Sequence, residues 1–318
     1  QQAGIALVSV LLVVAIATVM TVTMIQEQKA SIQVTRGFLS RSQAFQYALG
    51  GEELARQILY EDFSLGTNID HLTETWADPE LHFEFEEGEV NLQITDLQGL
   101  INLNSLGAGS TRATMVRQRL GNIIESQGGD RAVVDRLQDW MDTDSSTRPA
   151  GAEDFDYLAL DPPYRAGNNS MLDASEIVLV GVTPQQYLVL KSAISVLPDV
   201  DAGMNINTAP PIVLQSLSPS LTIEVAEAIA QKRDEQEGFE EVEGFLQLPE
   251  LAGLGVAADG LGVQSSFFKV RVIARFQDRF SYLNSIIHRN LVSGEMHVIA
   301  RDFSRKMLPA ANIQSDDD

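Results

Sequence analysis

The densest cluster of groups able to do chemistry is an acidic segment in the middle of the chain. Its carboxylates fall in two runs, first Asp139, Asp142 and Asp144, then Glu153, Asp154 and Asp156, with Asp161 further on. Carboxylates this close repel one another unless a cation or water separates them. Calcium takes six to eight oxygen ligands and often uses paired carboxylates. The residue types are therefore compatible with a calcium loop over residues 139–161.

The spacing of these acids matches a known type of calcium loop only in part. Asp142, Asp144 and Glu153 take the first, third and twelfth positions of an EF-hand loop. Ser146 then stands at the fifth position, and Thr147 stands where that loop needs glycine. Two alternatives stay open at this point, an irregular calcium loop and a solvated acidic loop without a metal.

Other kinds of chemistry find little support in the sequence. The chain has no cysteine, which excludes thiol nucleophiles and Cys-ligated zinc. Its four histidines lack metal-ligand spacing, and it contains neither a Gly-x-Ser-x-Gly elbow nor a phosphate-binding loop. A net charge of -22 repels the phosphates of nucleic acids. We therefore predict a protein that is not an enzyme and whose surface suits cations and basic partners.

The N-terminal segment predicts a membrane anchor. Residues 5–25 contain no charge, proline or glycine. A helix of that length rises about 30 Å, enough to cross the hydrocarbon core of a bilayer. Apolar residues continue at helical spacing from Gln26 to Tyr60, which favours a retained anchor over a cleaved secretory signal. No basic residue precedes Ile5, so charge does not orient the segment.

The remaining chain predicts an α+β fold in which a helical domain interrupts an antiparallel sheet. Apolar and polar residues alternate over 81–97, 267–276 and 282–289, and another short strand is predicted at 296–302. Capped helical patterns lie between these strands, at 113–127, 131–141, 174–179, 184–194, 209–217 and 222–236. Insertion at a surface loop is tolerated because the insert buries its own core.

The helical region contains a short internal sequence repeat. Residues 102–105 and 205–208 both read Asn-apolar-Asn-Ser/Thr before a predicted helix. The second copy continues into Ala228 to Arg233, and this stretch resembles a helix-hairpin-helix module of competence DNA-binding proteins. Acidic residues surround its only local cations, Lys232 and Arg233, and repel phosphate. We interpret the module as scaffold. A membrane-tethered DNA receptor is the alternative function.

The N-terminal residues carry a resemblance to a known family. Gln-Ala-Gly4 followed by Ile5-Ala-Leu-Val-Ser9 resembles the cleavage region of type IV pilin-like precursors, which a prepilin peptidase cuts after glycine. Gly4 would then end the leader and Ile5 would begin the mature chain. Most members of that family carry glutamate where this chain has Ser9. Its loss is typical of the K-type minor pseudopilin of type II secretion, which also has similar acidic segments and a similar helical insert.

This resemblance implies a pilin-like fold, with a long N-terminal helix on an antiparallel sheet and a large inserted all-α domain. The implied organisation is a leader remnant at 1–4, a transmembrane helix at 5–25, the stem helix and first strands at 26–98, the inserted domain at 99–262, returning strands at 263–305 and a disordered tail at 306–318. It implies a cap at the pseudopilus tip that primes assembly and supports export of folded proteins through the outer-membrane secretin. The expected partners are the I-type and J-type minor pseudopilins and other pseudopilins, without nucleic acid.

The resemblance also implies a structural calcium site and a location. The carboxylate ligands would be Asp139, Asp142, Asp144, Glu153 and Asp154, with Asp156 as a further candidate. Asp139 has a second possible role, in capping or orienting the loop, because it shares a helix face with Asp142 only if the helix continues that far. The chain would cross the inner membrane once and place its head in the periplasm.

Overall fold

A computed structural model describes residues 2–66, 68–107 and 110–304. Its helices are α1 (Gln2–Ser64), α2 (Ala113–Ser126), α3 (Ala132–Met141), α4 (Asp154–Leu158), α5 (Pro184–Leu190), α6 (Pro211–Gln215), α7 (Ile223–Glu235) and α8 (Val242–Leu246). Short 3-10 helices span Thr75–Ala77, Leu103–Leu106, Ala174–Val180 and Pro249–Leu251. The strands are β1 (Leu81–Phe85), β2 (Gly88–Asp96), β3 (Ile101–Asn102), β4 (Ile194–Ser195), β5 (Met204–Asn205), β6 (Leu261–Gly262), β7 (Phe267–Phe276), β8 (Arg279–Arg289) and β9 (Met296–Asp302). Residue 1 and the tail predicted at 306–318 lie outside the described residues.

Helix α1 joins the predicted anchor and the predicted stem in one unbroken helix. Its N-terminal part is long and apolar enough to cross a membrane, judged by length and composition. The hydroxyls of Thr18, Thr21 and Thr23 donate to backbone carbonyls about one turn earlier, so they need no partner in lipid. From Ser9 to Leu39 the helix is largely exposed, and it begins to pack on the rest of the protein at Ser40.

A five-stranded antiparallel sheet packs on the C-terminal part of α1. Its strand order is β1-β2-β7-β8-β9, so β2 pairs with β7 across the helical region. The register places the buried Leu92 of β2 opposite the buried Val272 of β7. Helix α1 approaches closely at Gly51, where an added Cβ would lie 2.6 Å from Val272 and 2.8 Å from Val90. The pilin-like arrangement of helix and sheet is therefore confirmed.

The helical region has an apolar core of its own. Its largest fully buried side chains include Leu103, Leu120, Ile123, Leu137, Ile177, Ile206 and Phe245. Helix α1 and the sheet form a separate core around Trp76 and Phe268. A small third cluster of Leu97, Leu197 and Phe267 lies between β2, β7 and the helical region. The separate cores support the inserted domain predicted at 99–262, and its boundaries stay a prediction.

Three predicted helices differ from the structure. The segment predicted at 174–179 forms a 3-10 helix that ends at Val180 and is capped by Gly181 in the left-handed conformation. The helix predicted at 184–194 ends at Leu190, because Ile194 pairs with Ile101 as a short parallel strand. The helix predicted at 209–217 covers only Pro211–Gln215. Proline disfavours helical geometry at the residue before it, which explains the later start.

The internal sequence repeat corresponds to two turns with matching hydrogen bonds. Asn102 ends β3 and Asn205 ends β5, and the side-chain oxygen of each accepts from the backbone N–H two residues later. The side-chain amide of the next asparagine, Asn104 or Asn207, both donates to and accepts from one distant backbone residue. The same bonding in both copies supports two related helical subdomains.

Candidate metal centre

Helices α3 and α4 hold the two ends of the acidic loop. Helix α3 ends at Met141, so Asp139 lies in its last turn and Asp142 forms its C-terminal cap. Helix α4 begins at Asp154, with Glu153 as its N-terminal cap. Carboxylates are favourable beside the N–H groups that a helix N-terminus exposes. The two helix ends thus bring the two acidic runs of the sequence face to face.

Three of the predicted ligands come together in the structure. One carboxylate oxygen each of Asp142, Asp144 and Glu153 lies within 4.8 Å of the others. Calcium–oxygen distances of about 2.3–2.6 Å allow ligand oxygens up to about 5 Å apart on one ion. Asp142 is 8% exposed and Glu153 6% exposed, whereas Asp144 faces solvent. The spacing is therefore right for one calcium ion reached from the surface.

Two oxygens of this group lack a hydrogen-bond partner. Asp142 Oδ1 and Glu153 Oε1 are buried and unpaired within the described part of the chain. An unpaired buried acceptor destabilises a fold, and a charged one more so. Burial raises the pKa of Glu153, and the charges of Asp139 and Asp142 raise it further. Hard carboxylate oxygens are the ligands that calcium prefers, and a cation at this group would offset the cost of burying these anions, so these residues fit calcium.

Asp139 is held by Arg148 rather than by this group. It is fully buried, and its Oδ2 accepts from the backbone N–H of Arg148 at 3.0 Å. Its Oδ1 contacts Nη1 of the same arginine, which also lies 2.5 Å from Asp142 Oδ2. A Cβ added at Gly151 would overlap Asp139 Oδ2. These contacts suit the second predicted role of Asp139, in orienting the loop, and both of its roles stay predictions.

The other two predicted ligands, Asp154 and Asp156, form hydrogen bonds with residues at or near the start of α4. Asp154 accepts from the backbone N–H of Ala166 at 2.9 Å and pairs with Arg165 at 3.2 Å. Asp156 accepts from the backbone N–H of Glu153 at 3.0 Å. In the described ranges, neither carboxylate joins the three that lie within 4.8 Å of one another. Both instead stabilise the helix end that carries Glu153.

An aromatic cluster fixes the far side of the loop. Tyr157 of α4 packs edge-on against Trp140 of α3 with ring centroids 5.3 Å apart. Tyr164 stacks on Tyr157 at 5.4 Å, and its hydroxyl donates to the carbonyl of Leu179 at 2.7 Å. Tyr157 and Tyr164 therefore pack against α3 and shape the loop.

The structure also shows a second carboxylate group that sequence reasoning missed. Asp62, Asp70 and Glu74 each place an oxygen within 4.8 Å of the others. The buried guanidinium of Arg289 contacts Asp70 and lies 3.5 Å from Asp62. Burial, together with the charges of Glu74 and Asp70, raises the pKa of Asp62 to about 7. A protein cation already occupies this group, so we interpret it as structural.

The two cations of the hairpin-like module contact other groups of the protein. Arg233 is buried and donates to the carbonyls of Ile206 and Ala209 at 3.2 and 2.7 Å. Lys232 lies 3.8 Å from Glu250. Arg233 is therefore not presented for a phosphate contact, and Lys232 lies beside an acid, which agrees with a scaffold.

The residues predicted at the peptidase junction lie at the start of α1. Gly4 and Ile5 have helical backbone, and the structure describes nothing of their side chains. Ser9 lies on the exposed surface of the same helix. The first turn of α1 contains no acidic residue.

A long helix on a small antiparallel sheet, interrupted by a helical region with an acidic loop, defines a pilin-like protein with an insert. Residues 99–199 and 204–264 match family profiles described as type II secretion system (T2SS), protein K. The chain is 34% identical to the type II secretion system protein K of Pseudomonas aeruginosa, over 99% of this chain and 97% of that protein. The chain belongs to the type II secretion system protein K family.

Further relatives agree with this family. The chain is 33% identical to the type II secretion system protein K of Klebsiella pneumoniae, over 88% of this chain and 91% of that protein. One chain of the crystal structure of the GspK–GspI–GspJ complex from the enterotoxigenic Escherichia coli type 2 secretion system is similar in fold, with a TM-score of 0.72 and 26% identity. That similarity covers 85% of this chain and 99% of the other.

Proposed function

We propose that this chain is the minor pseudopilin at the tip of the type II secretion pseudopilus, bound to the I-type and J-type minor pseudopilins. The observation that carries the proposal is the similarity in fold, over most of this chain, to one chain of the GspK–GspI–GspJ complex. The role is one of assembly: the complex primes the pseudopilus and supports export of folded proteins through the outer-membrane secretin. The relatives are named as components of the secretion system, which agrees with a protein that is not an enzyme.

Helix α1 supports assembly into a fibre. Beyond the predicted anchor it still exposes apolar side chains at Ile32, Val34, Phe38 and Leu39. Contiguous exposed apolar surface marks a place where another molecule packs. We infer that residues 5–25 hold the chain in the inner membrane, with the head in the periplasm. In the fibre, the apolar side chains from Ile5 to Leu39 would pack against the helices of other pseudopilins.

Two features support a terminal position in the fibre. The helical region at 99–262 adds a second apolar core to the pilin-like head, and this bulk would block a further subunit above it. Ser9 replaces the glutamate that would pair with the N-terminus of a neighbouring subunit. A subunit without that carboxylate needs no neighbour on that side. We also propose that prepilin peptidase cuts between Gly4 and Ile5.

For the acidic loop we propose a structural calcium ion held by Asp142, Asp144 and Glu153. Asp139 orients the loop, and Asp154 and Asp156 stabilise the start of α4 beside the site. The bound ion would supply positive charge between the ends of α3 and α4, where the orphaned oxygens lie. Backbone carbonyls and water would complete the six to eight oxygens that calcium requires. Metal binding of this kind contributes to folding stability.

The tip position is tested by labelling a single introduced cysteine. The chain has no cysteine of its own, so a Ser220→Cys variant carries one thiol on the exposed surface of the helical region. Pseudopili assembled with this variant are treated with maleimide-coated gold and viewed by electron microscopy. We expect label at one end of each fibre. Label spread along the fibre would contradict the proposal, and fibres with the unmodified chain measure background.

A further inference from the structure

Arg148 is the arginine that reaches into the proposed calcium site. Its Nη1 bridges Asp139 Oδ1 and Asp142 Oδ2. The side chain of Arg148 is 34% exposed, whereas the carboxylates of Asp139 and Asp142 are almost completely buried. A partly solvated cation therefore neutralises two buried anions.

The bridge leaves the site short of positive charge. Asp139, Asp142, Asp144 and Glu153 bring four carboxylates, against the single guanidinium of Arg148. Arg148 binds only one oxygen of Asp142, and the other oxygen and Glu153 Oε1 keep no partner among the described residues. Buried anions of this kind require a cation nearby. Arg148 thus supplies part of the positive charge that a divalent ion would supply.

Calcium and Arg148 compete for the same carboxylate. A divalent ion on Asp142 repels a guanidinium bound to that side chain. The arginine can move its head into water because its long stem allows it, whereas Asp142 and Glu153 are fixed at helix ends. The backbone N–H of Arg148 bonds Asp139 independently of the guanidinium, so the loop stays attached when the side chain leaves.

We propose that Arg148 is a displaceable counter-cation that stabilises the metal-free loop, lowers its calcium affinity and is released from Asp142 when calcium binds. The inference rests on the calcium site proposed above. It makes Arg148 a residue that sets the calcium concentration at which the loop fills, rather than a ligand. A purely structural Arg148, which positions Asp142 for the ion, predicts the opposite change in affinity when its charge is removed.

The first test compares the full chain with its Arg148→Gln variant by calorimetric titration with calcium chloride after chelation. We expect the variant to bind calcium about tenfold more tightly, because one repelling charge near the ion is gone. We also expect the metal-free variant to melt at a lower temperature than the wild type. Arg131→Gln is the matched control: Arg131 is 40% exposed, pairs with Glu125 in the same helical region and should leave calcium affinity within about twofold.

The second test needs no variant, so it stands even if Arg148→Gln does not fold. Phenylglyoxal modifies accessible guanidinium groups, and mass spectrometry reports the rate at each arginine. In the wild-type chain we expect calcium to raise the rate at Arg148 and to leave that at Arg131 unchanged. An unchanged or slower rate at Arg148, or weaker calcium binding by Arg148→Gln, would overturn the inference and leave the site itself standing. A wild-type chain that binds no calcium would overturn the site.

Discussion

Replacing Asp62 by asparagine should stabilise the protein above neutral pH. Asp62 lies near the end of α1, inside the head and far from the anchor at 5–25. It shares the single guanidinium of Arg289 with Asp70, and Glu74 adds a third carboxylate. Burial and the charges of the other two acids outweigh the attraction to Arg289, so Asp62 keeps its proton up to a pH of about 7. Asparagine keeps the shape of the side chain and removes the charge.

The magnitude follows from the pKa of Asp62, which rises from 3.8 to about 7 on folding. Because the folded state holds this proton more tightly than the unfolded state, the contribution of Asp62 to stability is greatest below pH 4 and falls as the pH rises through about 7. One pKa unit corresponds to about 1.4 kcal/mol, so the loss reaches about 4 kcal/mol at pH 8. The Asp62→Asn variant should recover about 2–4 kcal/mol there, on the order of that loss, since asparagine also gives up some attraction to Arg289.

The assay is urea unfolding of the full chain in detergent micelles at several pH values. Trp76 lies in the core of the head, and Trp140 lies in the core of the helical region. A Trp140→Phe background therefore lets fluorescence report the head alone. Glu61→Gln is the matched control, because Glu61 precedes Asp62 on the same helix, carries the same charge and is exposed. Its effect should stay within about 0.5 kcal/mol at every pH.

Two results would refute the reasoning about Asp62. One is an Asp62→Asn variant whose stability falls with pH between 4 and 7 as steeply as that of the wild type. The other is a variant less stable than the wild type at pH 8, which would mean that the ion pair with Arg289 outweighs the cost of burying the charge.

Three further changes have defined outcomes. Gly151→Ala should destabilise the helical region by about 2–4 kcal/mol, because the new Cβ overlaps Asp139 and breaks its buried pairing with Arg148; urea unfolding followed by Trp140 fluorescence checks this. Arg289→Met should cost about 3–5 kcal/mol at pH 7, because Asp70 stays buried without its cation; the same assay on the head measures it. Calcium at a hundred times its dissociation constant should add about 2.7 kcal/mol to the stability of the helical region, and chelator should remove it; an unchanged melting curve in both conditions would contradict the calcium site.

Features set by local periodicity were the most predictable from the sequence. The strands predicted at 267–276 and 296–302 have the bounds found in the structure, because apolar and polar residues alternate there with the period of a strand. The helical pattern after the anchor continues as α1, as predicted, and ends at Ser64. The parallel pairs β3–β4 and β5–β6 were not predicted, since each has two residues and its partner lies far along the chain.

The candidate site was predictable as a group of acids but not as a geometry. The spacing indicated Asp142, Asp144 and Glu153, which do come together. The sequence could not show that Arg148 folds back onto Asp139, because that contact depends on the path of an irregular loop. The Asp62 group could not be predicted from the sequence for a related reason. Its acids lie on α1 and on the loop after it, whereas their cation lies on β8, so these residues meet only through tertiary folding.

Complex formation with the I-type and J-type minor pseudopilins tests the central claim most directly. The three full chains are co-expressed, purified through a tag on this chain and analysed by size-exclusion chromatography with light scattering in detergent and calcium. The proposal predicts one complex that contains one copy of each protein. Recovery of this chain without either partner, while the I-type and J-type proteins bind each other, would contradict the claim.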